Sequence, residues 1–160
     1  MSLDATTRKA LPHSEVTSLH LFRHGKVDTG GRRRAYGHTD MPLTDLGKHQ
    51  GKNLIQLAEG LPHCMGVFSS DLSRCMKVAQ PISSMLNLPL VSTEELREQN
   101  MGRWENCTWE ELTIADESKV QDYWADYVST VPPQGESFEH MSQRIIAWWD
   151  NNKELLWGKR

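Results

Sequence analysis

The chain has 160 residues, with 18 Lys and Arg against 21 Asp and Glu and a formal charge of −3 at neutral pH. One compact domain accommodates that length and two would not fit comfortably. The slight negative charge argues against a nucleic-acid partner, whose phosphates call for a basic face. No apolar run approaches the roughly 20 residues that cross a bilayer, so no membrane partner is expected.

Residues 1–16 mix Asp4, Arg8, Lys9, Pro12 and Glu15 without the apolar core of a signal peptide, and read as an amino-terminal tail. Thr17 to Arg23 then forms a nearly continuous apolar run, the pattern of a strand covered on both faces. Thr44 is placed to cap a helix whose buried face carries Leu54, Leu57, Ala58 and Leu61, with its end marked by Gly60 and Pro62. Gly66 to Ser69 predicts a second strand. Ser70 or Asp71 then caps a helix with Leu72, Met76, Ala79, Ile82 and Leu86 on one face, which Pro81 should kink or interrupt.

Pro89 to Ser92 predicts a third strand, and strands alternating with helices imply crossovers and a mostly parallel sheet. From Trp109 the pattern is helical, with Trp109, Leu112, Tyr123, Trp124 and Tyr127 as bulky apolar contacts. Val131 to Gly135 breaks the chain, and Ser137 starts a last helix with a stripe of Phe138, Met141, Ile145 and Trp148 or Trp149. Cys64, Cys75 and Cys107 are odd in number and lack Cys-x-x-Cys spacing. They indicate neither a disulfide framework nor a zinc site, and fit a reducing cytoplasm.

The chemistry concentrates at strand ends. Arg23-His24-Gly25 closes the first apolar run, placing a cation and a nucleophile at the carboxyl edge of a sheet, where α/β proteins bind ligands. That arrangement suits a phosphate ester. Taken alone, the tripeptide also fits a chance occurrence with His24 satisfied by a backbone carbonyl. It is followed in order by Tyr36-Gly37-His38-Thr39-Asp40-Met41-Pro42-Leu43-Thr44, Phe68-Ser69-Ser70-Asp71-Leu72-Ser73-Arg74, Leu96-Arg97-Glu98 and Met101-Gly102-Arg103-Trp104-Glu105.

In this order and spacing the segments resemble the histidine phosphatase superfamily, in its phosphoglycerate-mutase-like branch, from about Leu19 to Trp149. Pro132 to Phe138 and the later Arg144 look most like α-ribazole phosphatases and related small-molecule phosphatases. The resemblance implies an α/β fold, a three-layer α/β/α sandwich around a mostly parallel sheet, in one domain over 17–160. It also implies a metal-independent phosphomonoesterase, without cofactor, acting on a small phosphorylated metabolite through a phosphohistidine. α-Ribazole 5'-phosphate is the candidate substrate.

His24 is then the nucleophile and must be neutral at its attacking nitrogen. Arg23 and Arg74 would clamp the phosphate with forked hydrogen bonds that lysine cannot reproduce. Glu98 matches the proton donor to the leaving oxygen. Tyr36, Gly37 and His38 align with a loop over the substrate, where Gly37 would let backbone amides approach anionic oxygens. Glu105 reads as structural support. Metal binding by His20, His24, His38 and His49 fits no common ligand spacing. A homodimer is left open.

Two departures stand out. After Arg-His-Gly the chain carries Lys26, Val27 and Gly30 where relatives carry an acidic residue, Thr or Ser, and Asn. The family's second catalytic histidine follows a strand after the last helix, and the chain stops at Arg160 before any such strand. The expectation is a domain truncated at its carboxyl end. The alternatives are mutase-type phosphoryl transfer, whose enclosing insertions the stretch from Glu98 to Pro132 is short of, or an impaired phosphate-binding module.

Overall fold

A computed structural model describes residues 17–156, with side chains to Lys153. The tail at 1–16 and residues 157–160 lie outside the described residues.

Helix α1 (Asp45–Glu59) starts where expected, because the Thr44 hydroxyl accepts the Gly47 amide at 3.0 Å, and Gly60 forms its carboxyl cap. Of its expected buried face, Ala58 is buried and Leu54 and Leu61 pack against the same cluster, but Leu57 lies outside it. Leu57 is 65% exposed, while Gly47 and Gly51 are buried. The reason is close approach of the next helix: a Cβ on Gly51 would stand 3.4 Å from Val78 Cγ2.

Strand β1 (Val67–Ser70) pairs in parallel with β2 (Leu90–Thr93), Val67 opposite Leu90 and Ser70 opposite Thr93. Helix α2 (Ser73–Leu86) makes the crossover, as a parallel pair requires. It runs unbroken through Pro81. The carbonyl that Pro81 leaves without a donor belongs to exposed Lys77, on the wet side of the helix.

Side-chain alternation in β1 builds the layers. Val67 packs with Ala58, Val78 and Ile82 of α1 and α2, whereas Phe68 meets Trp148 of helix α5 (Phe138–Leu156) edge-on at 5.5 Å. Helices therefore cover both faces of the sheet, the expected α/β/α layering. The Ser137 hydroxyl accepts the His140 amide at 3.1 Å where α5 begins. Met141 is buried on the α5 stripe, while Phe138 is partly exposed.

A second core contains no residue of the sheet. Thr108 and Glu111 form a capping box that opens α3 (Trp109–Ala115), and Asp116 caps α4 (Glu117–Ala125). Ala35, Met101, Trp104, Leu112, Val120 and Tyr123 pack together there. Trp104, Trp109, Tyr123 and Trp124 form a chain of touching rings, centroids 4.7–6.0 Å apart. Trp124 and Tyr127, expected as buried contacts, are about half exposed.

Thr17 to Arg23 is not a strand. It has no ladder partner among the described residues, and Leu21 is 90% exposed. Propensity alone does not hold an extended segment straight without cross-strand hydrogen bonds and a face to cover. Among the described residues no helix is long and apolar enough to cross a membrane.

Candidate active site

Gly25 sets the position of His24 through close packing. A Cβ there would stand 2.2 Å from the Gly47 carbonyl oxygen, and one on Gly47 would stand 2.0 Å from that of Lys26. The backbone after His24 thus lies directly on the first turn of α1. It is held there by the Lys26 carbonyl, which accepts from the Thr44 amide and hydroxyl at 3.0 and 3.1 Å, and by the Lys26 amide donating to Gln50 Oε1 at 2.8 Å.

The His24 ring donates from Nδ1 to the Gly25 carbonyl at 2.8 Å, which puts the lone pair of the neutral ring on Nε2. Burial, the largest influence, lowers its pKa from the ordinary 6.5. The Gly25 carbonyl opposes this, and the Arg74 and Arg23 charges add to it. His24 and Arg23 stand where two clefts meet. One, of about 390 Å³, is also lined by Lys26, Thr29, Tyr36 and Gln50. The other, of about 310 Å³, brings Arg74, Arg97 and Glu98 to the same place, with Phe22, Met141 and Ile145 among its apolar walls.

Gly37 and His38 line neither cleft. The Gly37 amide does not face an anion site: the amides of Gly37, His38 and Thr39 all donate to the Glu105 carboxylate, at 2.8–3.1 Å. Thr39 Oγ1 and the Met101 amide complete that set at 2.5 and 3.1 Å. Glycine is required at 37 because a Cβ would stand 1.7 Å from the Gln99 carbonyl oxygen. Burial pushes the Glu105 carboxyl up, but the Thr39 hydroxyl and the converging amides outweigh it and hold the pKa below the ordinary value.

Arg74 is 1% exposed. Its terminal nitrogens donate to the carbonyls of Thr39 and Gly37, both at 2.6 Å, its guanidinium lies 5.5 Å from the centre of the Tyr36 ring, and its Nε has no partner. Neither expected cap for α2 serves in the usual way. Asp71 makes a bidentate ion pair with Arg97, and the Ser70 hydroxyl accepts from Leu72. The first-turn amide of Ser73 instead donates to Asp40, 33 residues away, at 3.0 Å.

Glu98 is exposed at the rim, on a segment organised from α5. Arg144 donates to the carbonyls of Glu95 and Arg97 at 2.5 and 3.2 Å and pairs with Glu136 at 2.7 Å. Glu136 also accepts the Asn100 amide at 2.9 Å and stands 3.9 Å from the otherwise unpartnered His38 Nε2. Sequence reading placed Glu136 and Arg144 in a motif without a role. At eight residues apart they lie beyond the three- and four-residue spacings that pair side chains along a helix, so their ion pair is visible only in the fold.

The profile of the histidine phosphatase superfamily, branch 1, matches residues 19–160. The chain belongs to this family. It is 31% identical over 147 residues to the "Probable phosphoglycerate mutase GpmB" of Escherichia coli, a match covering 91% of this chain and 67% of that protein. Among solved structures, the α-ribazole phosphatase from Shigella flexneri superposes with a TM-score of 0.74 at 28% identity, over 82% of this chain and 65% of that one. A mycobacterial glucosyl-3-phosphoglycerate phosphatase shares the fold with a TM-score of 0.71 at 24% identity, over 82% and 64% of the two chains. The chain thus spans about two thirds of the length of the relatives it matches.

Proposed function

We propose that the chain carries the phosphoryl-transfer half-site of a phosphomonoesterase for a small phosphorylated metabolite, with α-ribazole 5'-phosphate the leading candidate. The observation that carries this reading is His24: a neutral imidazole with Nδ1 tied to a carbonyl and Nε2 left as nucleophile, at the meeting point of two clefts beside Arg23. Nε2 attacks phosphorus in line as the bond to the ester oxygen breaks, and Glu98 gives that oxygen its proton. Water then attacks the phosphohistidine, the N–P bond breaks, Glu98 takes back a proton, and inorganic phosphate leaves. Arg23 and Arg74 supply positive charge to the phosphoryl oxygens.

His24→Ala should abolish hydrolysis of an aryl phosphate and the acid-labile phosphoenzyme trapped during turnover, while thermal unfolding stays cooperative. A folded variant with near-normal turnover removes His24 from this role. Glu98→Gln should slow alkyl esters far more than aryl esters, because a phenolate leaves with little help from an acid. The likeness to a phosphoglycerate mutase favours a second reading, transfer between hydroxyls of phosphoglycerate, which a substrate-isomer assay separates from release of inorganic phosphate.

A further inference from the structure

Arg74 is almost wholly buried, yet among the described residues it has no carboxylate in ion-pair contact. A buried guanidinium without an anion is costly, so its charge must be offset by other means. Its two carbonyl partners belong to the loop whose amides converge on Glu105. One peptide group is shared directly, since the Gly37 carbonyl accepts from Arg74 at 2.6 Å and the His38 amide joined to it donates to Glu105 at 2.8 Å. That peptide dipole lies head to tail between a cation and an anion. Each end polarises the other, so the three groups hold their positions jointly.

We infer that Glu105 is a positioning residue for phosphate binding, acting through the Gly37–His38 peptide to fix the Arg74 guanidinium at the cleft. The inference rests on the reading of Arg74 as a phosphate ligand. With both terminal nitrogens tethered, the hydrogens left to Arg74 are the Nε–H and one on each terminal nitrogen. Their direction is set by the loop, and the loop is set by Glu105. A carboxylate is needed there, because a side-chain amide would present its own N–H to a converging backbone N–H.

The test uses inorganic phosphate and isothermal titration calorimetry on the full chain. Glu105→Gln should weaken phosphate by about tenfold or more, the size of one charge-assisted hydrogen bond. Arg74→Lys should weaken it by a similar factor in the parent chain and by much less in the Glu105→Gln background, because the directed fork is already lost. Thr108→Ala, which removes a buried helix cap away from the clefts, should lower the unfolding midpoint while changing phosphate affinity less than twofold.

Additive losses from Glu105→Gln and Arg74→Lys, or an unchanged affinity in Glu105→Gln, overturn the inference. If Glu105→Gln does not fold, Thr39→Val removes one donor to the carboxylate and should weaken phosphate several-fold; an unchanged affinity in that folded variant is equally decisive against the idea. A parent chain that fails to bind phosphate defeats the phosphate-site reading itself, and the inference with it.

Discussion

The loop that positions Arg74 and the segment that carries His24 are held in opposite ways. The loop at 37–39 is fixed by charge: Glu105 collects its amides, Arg74 collects two of its carbonyls, and Asp40 just beyond it caps α2. The segment carrying Arg23 and His24 is fixed without charged groups, at the Gly25–Gly47 crossing and by three hydrogen bonds to the Lys26 backbone, and residues 18–23 are exposed. The nucleophile candidate therefore stands on the looser segment together with Arg23, and Arg74 is tied to the tighter one. A local disturbance should cost stability at the loop and alignment at His24.

Substituting the two crowded glycines probes this contrast most severely. Gly37→Ala drives a Cβ into a fixed carbonyl and should destabilise the fold by about 3 kcal/mol, read from urea unfolding. Gly25→Ala also meets a carbonyl, at 2.2 Å against 1.7 Å for Gly37, and the segment before it can yield. It should cost clearly less stability and nearly all turnover. Equal losses of stability would show that both segments are anchored alike.

Arg144→Met removes the cation that gathers the carbonyls around Glu98 and leaves Glu136 without its ion-pair partner. A loss of about 2 kcal/mol is expected, with aryl phosphate turnover falling less than alkyl ester turnover. Thr44→Ala acts on the looser segment, since the Thr44 hydroxyl both caps α1 and donates to the Lys26 carbonyl. About 1 kcal/mol should be lost, with a rise in the exchange rate of the Lys26 amide.

The smallest effect is in pH dependence, and it falls in two ranges. Glu105, Glu136 and Asp71 hold their protons less tightly folded than unfolded, so the unfolded chain binds more protons in acid and stability there rises with pH. Their contribution is complete above the ordinary carboxyl values of 4.5 and 3.8 and disappears as pH falls through the lower folded values. His24 and His38 are also lowered, so their part of the stability begins to fall once pH drops below 6.5, as the unfolded chain protonates first. Urea midpoints should show a shallow decline below 6.5 and a steeper one in the carboxyl range, and His24→Ala should reduce only the first, leaving the share that belongs to His38.

Local rules carried much of this molecule in the sequence. Thr44 before an amphipathic run, Ser137 after a Pro-Pro-Gln-Gly break and the apolar stretches at 66–69 and 89–92 fell within a residue of the observed elements, because cap and pattern agree there. What failed was decided at long range. Thr17 to Arg23 has the composition of a strand and no ladder, and Asp71 has the position of a helix cap and an arginine to satisfy instead. Pro81 breaks a helix in isolation, but packing of Val78, Ala79 and Ile82 on both sides of it sustains α2. The site was legible as a set of motifs. That Glu105 ties two of them together needed the fold.

Trp104 immediately precedes Glu105 in the chain and touches two further rings, Trp109 and Tyr123, that themselves meet Trp124. Rings held this close and at fixed tilts couple their electronic transitions, and the resulting near-ultraviolet circular dichroism depends steeply on their mutual angles. The aromatic cluster is thus a built-in optical gauge beside the carboxylate that sets the loop. A shift of the backbone at Glu105 too small to unfold anything would be visible as a change of that spectrum.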